Sequence, residues 1–232
     1  MASALVVVAT PIGNLQDISL RAIETLKTAD LIACEDTRRS AVLLRAHGIG
    51  TPTTSFHSYT GPEKAARLVE QLREGKRIAL ISDAGLPGIS DPGTSLIHAA
   101  IEAGVPVTVV PGATAALAAL VLSGFPTDRF VFEGFLPVKP GRRAQKLVEL
   151  AREERAVILY EAPHRLLKTL AEIEKAFGDV PLSVSRELTK LFEETRRERV
   201  SRLREHFAAR RPLGEFVLVL PPKRLRAAER EA

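Results

Sequence analysis

Two hydrophobic patterns alternate along this chain. Short, largely apolar runs occupy residues 5–9, 31–34, 77–81, 105–110, 156–160 and 215–220, as expected of strands covered on both faces of a sheet. Between them, apolar residues recur at three- and four-residue spacing. This predicts helices over 63–73, 94–103, 115–122, 145–155 and 166–177, and one that carries Leu20, Ile23 and Leu26 behind an Asp17 cap. Weaker strands are expected at 53–57, 129–136 and 182–185, and a helix from about Ser201 within the arginine-dense stretch 196–211. Strand and helix alternate, so the chain reads as α/β. The first sheet is expected to be mainly parallel and the second mixed.

The stretch 82–93, Ser-Asp-Ala-Gly-Leu-Pro-Gly-Ile-Ser-Asp-Pro-Gly, breaks both patterns. Its glycines and prolines are too dense for regular structure, and it exceeds the ~2–6 residues of an ordinary βα connection. Asp91 before Pro92 reads as a helix cap with proline in the first turn. A long loop at the carboxyl end of a buried strand is where open α/β sheets hold ligands. Similar strand-end loops follow at 10–15, 35–39, 111–114 and 161–165. The first is not G-x-G-x-x-G, which argues against a nicotinamide oxidoreductase.

The pattern changes near residues 125–128, which suggests an α/β domain over 1–122, a second over 128–222 and a basic tail over 223–232. Charge follows the same division. Residues 1–118 carry 10 Lys/Arg against 11 Asp/Glu, whereas 119–232 carry 23 against 17. A basic second half permits a polyanionic partner. Cys34 is the one cysteine, which excludes an internal disulfide and suits a reducing cytoplasm. No apolar run reaches the ~18 residues of a membrane span. No metal-spaced Cys/His cluster, phosphate loop or nucleophile elbow is present, so no metal is expected. His57 and His164 are the two histidines at strand ends.

These segments, taken in order from Val8-Ala9-Thr10-Pro11-Ile12-Gly13-Asn14-Leu15 through Cys34-Glu35-Asp36-Thr37-Arg38, the loop 82–93, Val110-Pro111-Gly112-Ala113-Thr114, Tyr160-Glu161-Ala162-Pro163-His164-Arg165, Arg186-Glu187-Leu188-Thr189-Lys190 and Gly214-Glu215-Phe216-Val217, closely resemble the tetrapyrrole methylase-like superfamily. The nearest branch is the one that methylates the ribose 2′-hydroxyl of a cytidine in 16S rRNA. The resemblance implies two α/β domains with S-adenosylmethionine held in the cleft between them, a homodimer, and the small ribosomal subunit or its RNA as partner. Carried over, the cofactor contacts fall on Thr10, Pro11, Gly13, Asp83, Gly85, Leu86, Ser90, Ala113 and Thr114, and on Tyr160, Ala162, Arg186, Glu187 and Phe216. A base or hydroxyl-orienting group is sought among Glu35, Asp36, Glu133, Glu187 and Lys190, and phosphate contacts among Lys139, Arg142, Arg143, Arg196, Arg197 and Arg199. Many members of this family continue past the last strand into a helical extension, where this chain has only 223–232. Methylation of a tetrapyrrole or of a protein side chain on the same fold, or RNA binding without catalysis, are the competing readings.

Overall fold

The computed structural model describes residues 4–228. The chain parts into two compact units, residues 1–114 and 115–232.

The first unit runs β1 (Leu5–Val8), α1 (Leu20–Thr28), β2 (Leu31–Cys34), α2 (Thr37–Ala46), β3 (Thr53–Ser55), α3 (Pro62–Arg73), β4 (Ile78–Ile81), α4 (Thr94–Glu102) and β5 (Val107–Val110). Its sheet has the order β3-β2-β4-β1-β5, and every pairing is parallel. Successive strand residues face opposite sides. Leu5, Val7, Ile78 and Leu80 therefore pack with Leu68 and Leu72 of α3 and Leu96 of α4. Val8, Ile32, Cys34, Ala79 and Ile81 pack with Ala22 and Leu26 of α1 and Leu44 of α2. Both faces are covered, which is why these strands are apolar without alternation.

Two expected caps move. Ser19, not Asp17, caps α1, its hydroxyl accepting from the Ala22 N–H at 3.1 Å, while Asp17 ends a separate 3-10 turn. Helix α4 begins at Thr94 behind Gly93 at φ 126°, beyond Asp91 and Pro92. A Cβ at Gly93 would stand 2.9 Å from Leu80 Cδ2, so glycine is needed both for φ and for room.

The second unit runs α5 (Ala115–Ser123), β6 (Phe130–Phe135), α6 (Pro140–Leu150), β7 (Ala156–Glu161), α7 (Leu166–Phe177), β8 (Pro181–Arg186), β9 (Glu194–Arg199), α8 (Val200–Ala208), β10 (Phe216–Leu220) and α9 (Lys223–Ala228). The strand order is β6-β7-β10-β8-β9; only β6 and β7 are parallel. Leu147, Leu170, Ile173, Leu203 and Phe207 of α6, α7 and α8 cover one face, on Val157, Leu159, Leu182, Val184 and Leu218. Helix α5 packs against β7, β8, β9 and β10. Ser183 and Ser185 alternate with the core-facing Leu182 and Val184, and both are buried.

Three sequence expectations are corrected here. Residues 194–199 form the edge strand β9, paired antiparallel with β8, where the arginine-dense stretch from 196 was expected to hold only a helix from about Ser201. Helix α6 runs Pro140–Leu150 rather than over the expected 145–155, because proline is well tolerated in a first turn. Residues 223–228 form α9, where a frayed tail was expected; residues 229–232 lie outside the described residues.

Candidate functional site

In the first unit, the loops after β1, β4 and β5 leave the carboxyl edge of the sheet side by side. Loop convergence is built on Gly85. The Thr10 N–H donates to the Gly85 carbonyl at 2.8 Å, and the Gly85 N–H returns to the Thr10 carbonyl at 3.1 Å. The buried Thr10 hydroxyl donates to the Ser82 carbonyl at 3.2 Å. Gly85 holds φ 80°, and a Cβ there would meet Ile12 at 3.5 Å and the Ala113 carbonyl at 3.6 Å. Three loops thus close on one residue, at the point where the strand order reverses around β4 and β1. Ser90 stands at φ 62°, a strained conformation of the kind stored at functional sites.

Among the expected cofactor contacts, Gly13 and Ser90 are exposed, and Asp83, Leu86, Ala113 and Thr114 are half-buried. Thr10, Pro11 and Gly85 are buried and shape the loops. Asp83 ties β4 to β2: its carboxylate accepts from the Asp36 N–H at 3.2 Å and from Arg39 Nη1 at 3.1 Å. Burial, then the Asp83 charge, raises the Glu35 carboxyl pKa. Asp36 caps α2, its carboxylate accepting from the Arg38 N–H at 2.8 Å. The Arg38 guanidinium holds the Asp36 pKa down to about 2.

In the second unit, register gathers Tyr160, Glu161, Arg186 and Phe216 at one end of the sheet. Phe216 lies opposite Glu161 on one side and opposite Arg186 on the other. The Tyr160 ring stands 5.1 Å from Phe132 and 5.7 Å from Phe135, both edge-on. The Phe216 ring itself is buried in the core, 5.6 Å from Phe207. Glu161, which sequence reasoning missed, is 2% exposed. Its carboxylate accepts from the Ala162 N–H at 2.8 Å and the Thr169 hydroxyl at 2.5 Å, and pairs with Arg165 at 3.2 Å.

Glu187 takes φ 49° at the end of β8. Its carboxylate accepts from Lys190 Nζ at 3.0 Å and the Glu215 N–H at 3.1 Å. Burial alone would raise its pKa; the Lys190 and backbone hydrogen bonds outweigh this and hold it low. For Lys190, burial is outweighed by hydrogen bonds to Glu215 and Glu187, and its pKa is raised. A lysine base needs the opposite shift, so in this arrangement Lys190 is held as a cation. Glu133 pairs with Lys146 at 3.3 Å.

The expected phosphate contacts separate into two groups. Lys139 and Arg142 are exposed at the start of α6. Arg143 is 3% exposed, and its Nη2 donates to Glu172 at 2.7 Å. On β9, Arg196 pairs with Glu194 and Glu198, Arg197 donates to the Leu122 carbonyl, and Arg199 donates to the Asp179 carbonyl at 2.6 Å. Each of these four arginines has a partner within the fold, while Arg197 and Arg199 remain exposed. Among the described residues no cluster of three His, Cys, Asp or Glu can hold a metal, and no helix is long and apolar enough to cross a membrane. A hollow of about 680 Å³ beside α3, lined by His57, Lys64 and Arg67, lies away from the three loops that meet at Gly85.

A parallel sheet with a loop-built carboxyl edge, followed by a mixed sheet, defines a two-unit α/β class. The uroporphyrin-III C-methyltransferase of Thermus thermophilus, solved with S-adenosylhomocysteine, shares it with a TM-score of 0.64 at 19% identity, over 93% of this chain and 96% of that one. The family model for Tetrapyrrole (Corrin/Porphyrin) Methylases matches residues 4–204, and this chain belongs to that family. A Synechocystis protein named ribosomal RNA small subunit methyltransferase I is 51% identical over 93% of this chain and 78% of its own length. A Thermotoga maritima protein of the same name is 44% identical over 94% and 98%.

Proposed function

We propose that this chain is an S-adenosylmethionine-dependent methyltransferase acting on the ribose 2′-hydroxyl of a cytidine in 16S rRNA of the small ribosomal subunit. The observation that carries the reading is the 51% identity, across nearly the whole chain, to a protein named ribosomal RNA small subunit methyltransferase I. The site chemistry fits the cofactor. Half-buried Asp83 offers a carboxylate to hydroxyl or ammonium groups, and the exposed turn residues Gly13 and Ser90 offer close backbone approach. Gly85, Leu86, Ala113 and Thr114 line the same loops, and Tyr160, Ala162 and Arg186 are the proposed contacts on the second unit.

The cofactor supplies a methyl carbon on a positively charged sulfur. The chain must orient the ribose hydroxyl and take up its proton. Of the five candidate groups, Glu35 suits that role best. Its raised pKa brings it nearer the operating pH, where a general base works most effectively. Asp36, held near 2 as a cap, is a weak base, Glu187 is already held by Lys190 and the Glu215 N–H, and Glu133 is paired. Lys139 and Arg142 serve as phosphate contacts. A cytoplasmic homodimer is the form we assign to it.

The test is transfer of labelled methyl to small subunits lacking the modification, with nuclease mapping of the product. Wild-type protein yields 2′-O-methylcytidine. Glu35→Gln lowers kcat by about 10²–10⁴-fold, the usual share of a general base, with cofactor affinity unchanged. A Glu35→Gln enzyme with wild-type kcat removes Glu35 from the role. Absence of transfer to subunits and to naked 16S rRNA overturns the substrate assignment.

A further inference from the structure

Strand β6 carries a β-bulge. Its pairing with β7 runs Phe132↔Ile158 and then steps to Gly134↔Leu159, leaving Glu133 as the extra residue. Gly134 stands at φ 71°. In an unbroken strand, residues three apart face opposite sides. Here the bulge brings Phe132 and Phe135 to the same ring, that of Tyr160, with centroids 5.1 and 5.7 Å away. Bulges of this kind re-aim side chains beside functional sites. The phenyl delivered is held yet open: Phe135 is 52% exposed, while the next residue, Leu136, is buried and its carbonyl accepts from Arg165 Nη2 at 2.8 Å.

The surroundings are cationic. Strands β6 and β7 are parallel neighbours, so the loops that follow them leave at the same edge. Lys139 and Arg142 lie at the start of α6, and Lys168 lies in the first turn of α7. All three are exposed, and no described acid pairs with them. The acids on these elements are occupied: Glu133 by Lys146, Glu172 by Arg143, and Glu161 by Thr169 and Arg165. An exposed aromatic ring among unneutralised cations is what single-stranded RNA recognition requires.

We propose that Phe135 is a stacking platform for an unpaired nucleobase of the RNA substrate, with Lys139, Arg142 and Lys168 holding neighbouring phosphates. The inference rests on the RNA reading above and adds the surface that would grip the strand. The test uses the full chain and small subunits lacking the modification. Phe135→Leu keeps bulk but removes the π-face, and raises KM for subunits about tenfold, within the range for loss of one base–aromatic stack. Phe135→Tyr restores it, and calorimetry gives all variants the wild-type affinity for S-adenosylmethionine. Lys168→Ala reduces the salt dependence of RNA affinity by about one counterion, roughly 0.7 in the log–log slope for single strands. Arg199→Ala, whose guanidinium is already bound to the Asp179 carbonyl, leaves that slope unchanged. A Phe135→Leu enzyme with wild-type KM overturns the proposal. So does a loss of cofactor affinity, which would put the cofactor's own adenine on the ring, and an unchanged slope for Lys168→Ala removes the phosphate contact. A wild-type protein inactive on subunits and on naked 16S rRNA overturns the RNA reading itself, a result that needs no variant.

Discussion

The carboxylate of Glu161 gives the second unit its sharpest energetic test. It is buried at the end of β7, held by two donors, the Ala162 N–H and the Thr169 hydroxyl, and paired in charge with the Arg165 guanidinium. Thr169 is fully buried on α7. Thr169→Val replaces its hydroxyl with a methyl group of nearly the same volume, so the packing stays and one hydrogen bond to a charged group is lost. Such bonds contribute about 1.5–3 kcal/mol. For a chain of this length about 2 kcal/mol lowers Tm by roughly 4–8 °C. Glu161→Ala is worse. It leaves Arg165, 16% exposed, without its counter-charge and opens space at the end of β7. Breaking a buried pair from one side costs about 3–5 kcal/mol. The double variant should lose less than the sum of the two, because both remove the same hydrogen bond. Urea and thermal unfolding of the four proteins measure the cycle. A Thr169→Val loss below about 0.5 kcal/mol, or strict additivity in the double variant, would refute the coupling.

Two further outcomes follow from the geometry. Asp36 has its pKa depressed to about 2 by Arg38, against an ordinary value of about 3.9. The stabilisation is therefore fully present above about pH 4 and lost as pH falls toward 2, so the Cm gap between wild type and Asp36→Ala should close over that window in acid titrations. Gly214 sits at φ 93°, and a Cβ there would lie 2.5 Å from Glu187 Oε1. Gly214→Ala should lower stability by about 1–3 kcal/mol in thermal unfolding, from backbone strain and displacement of Glu187 from Lys190.

Strands buried on both faces were legible because burial writes itself as an apolar run: β4, Ile78–Ile81, is buried at every residue. Strand β9 was not, because an edge strand can carry charge on five of its six positions when its acids and bases find partners, as Arg186 does with Glu194 at 2.7 Å across the ladder. The loops of the first unit were legible from glycine density alone, and Gly85, Gly88 and Gly93 all take positive φ. The fate of individual charges was not. Arg143 reads as a phosphate contact beside Arg142, yet Glu172, a full helix later, draws it into a buried pair. Phe216 lies at the right end of the right strand, but whether its ring faces core or solvent depends on α8, which supplies Phe207. Local pattern locates such residues; only distant partners orient them.

The placement of β4 also sets a timetable for synthesis. Strands β1 and β2 are made first but do not pair with each other: Leu5 and Leu31 both take their partner from Ile78, on opposite sides of β4. At ~5–20 residues per second, β1 waits roughly 4–15 s and β2 roughly 2–9 s for that partner to be translated. Until then the growing chain carries apolar strands with unsatisfied ladders, and they stay open to the wrong partner. The middle of the first sheet is therefore its last inner strand to arrive, which makes early elongation the interval in which a nascent-chain chaperone would most alter the yield of folded protein.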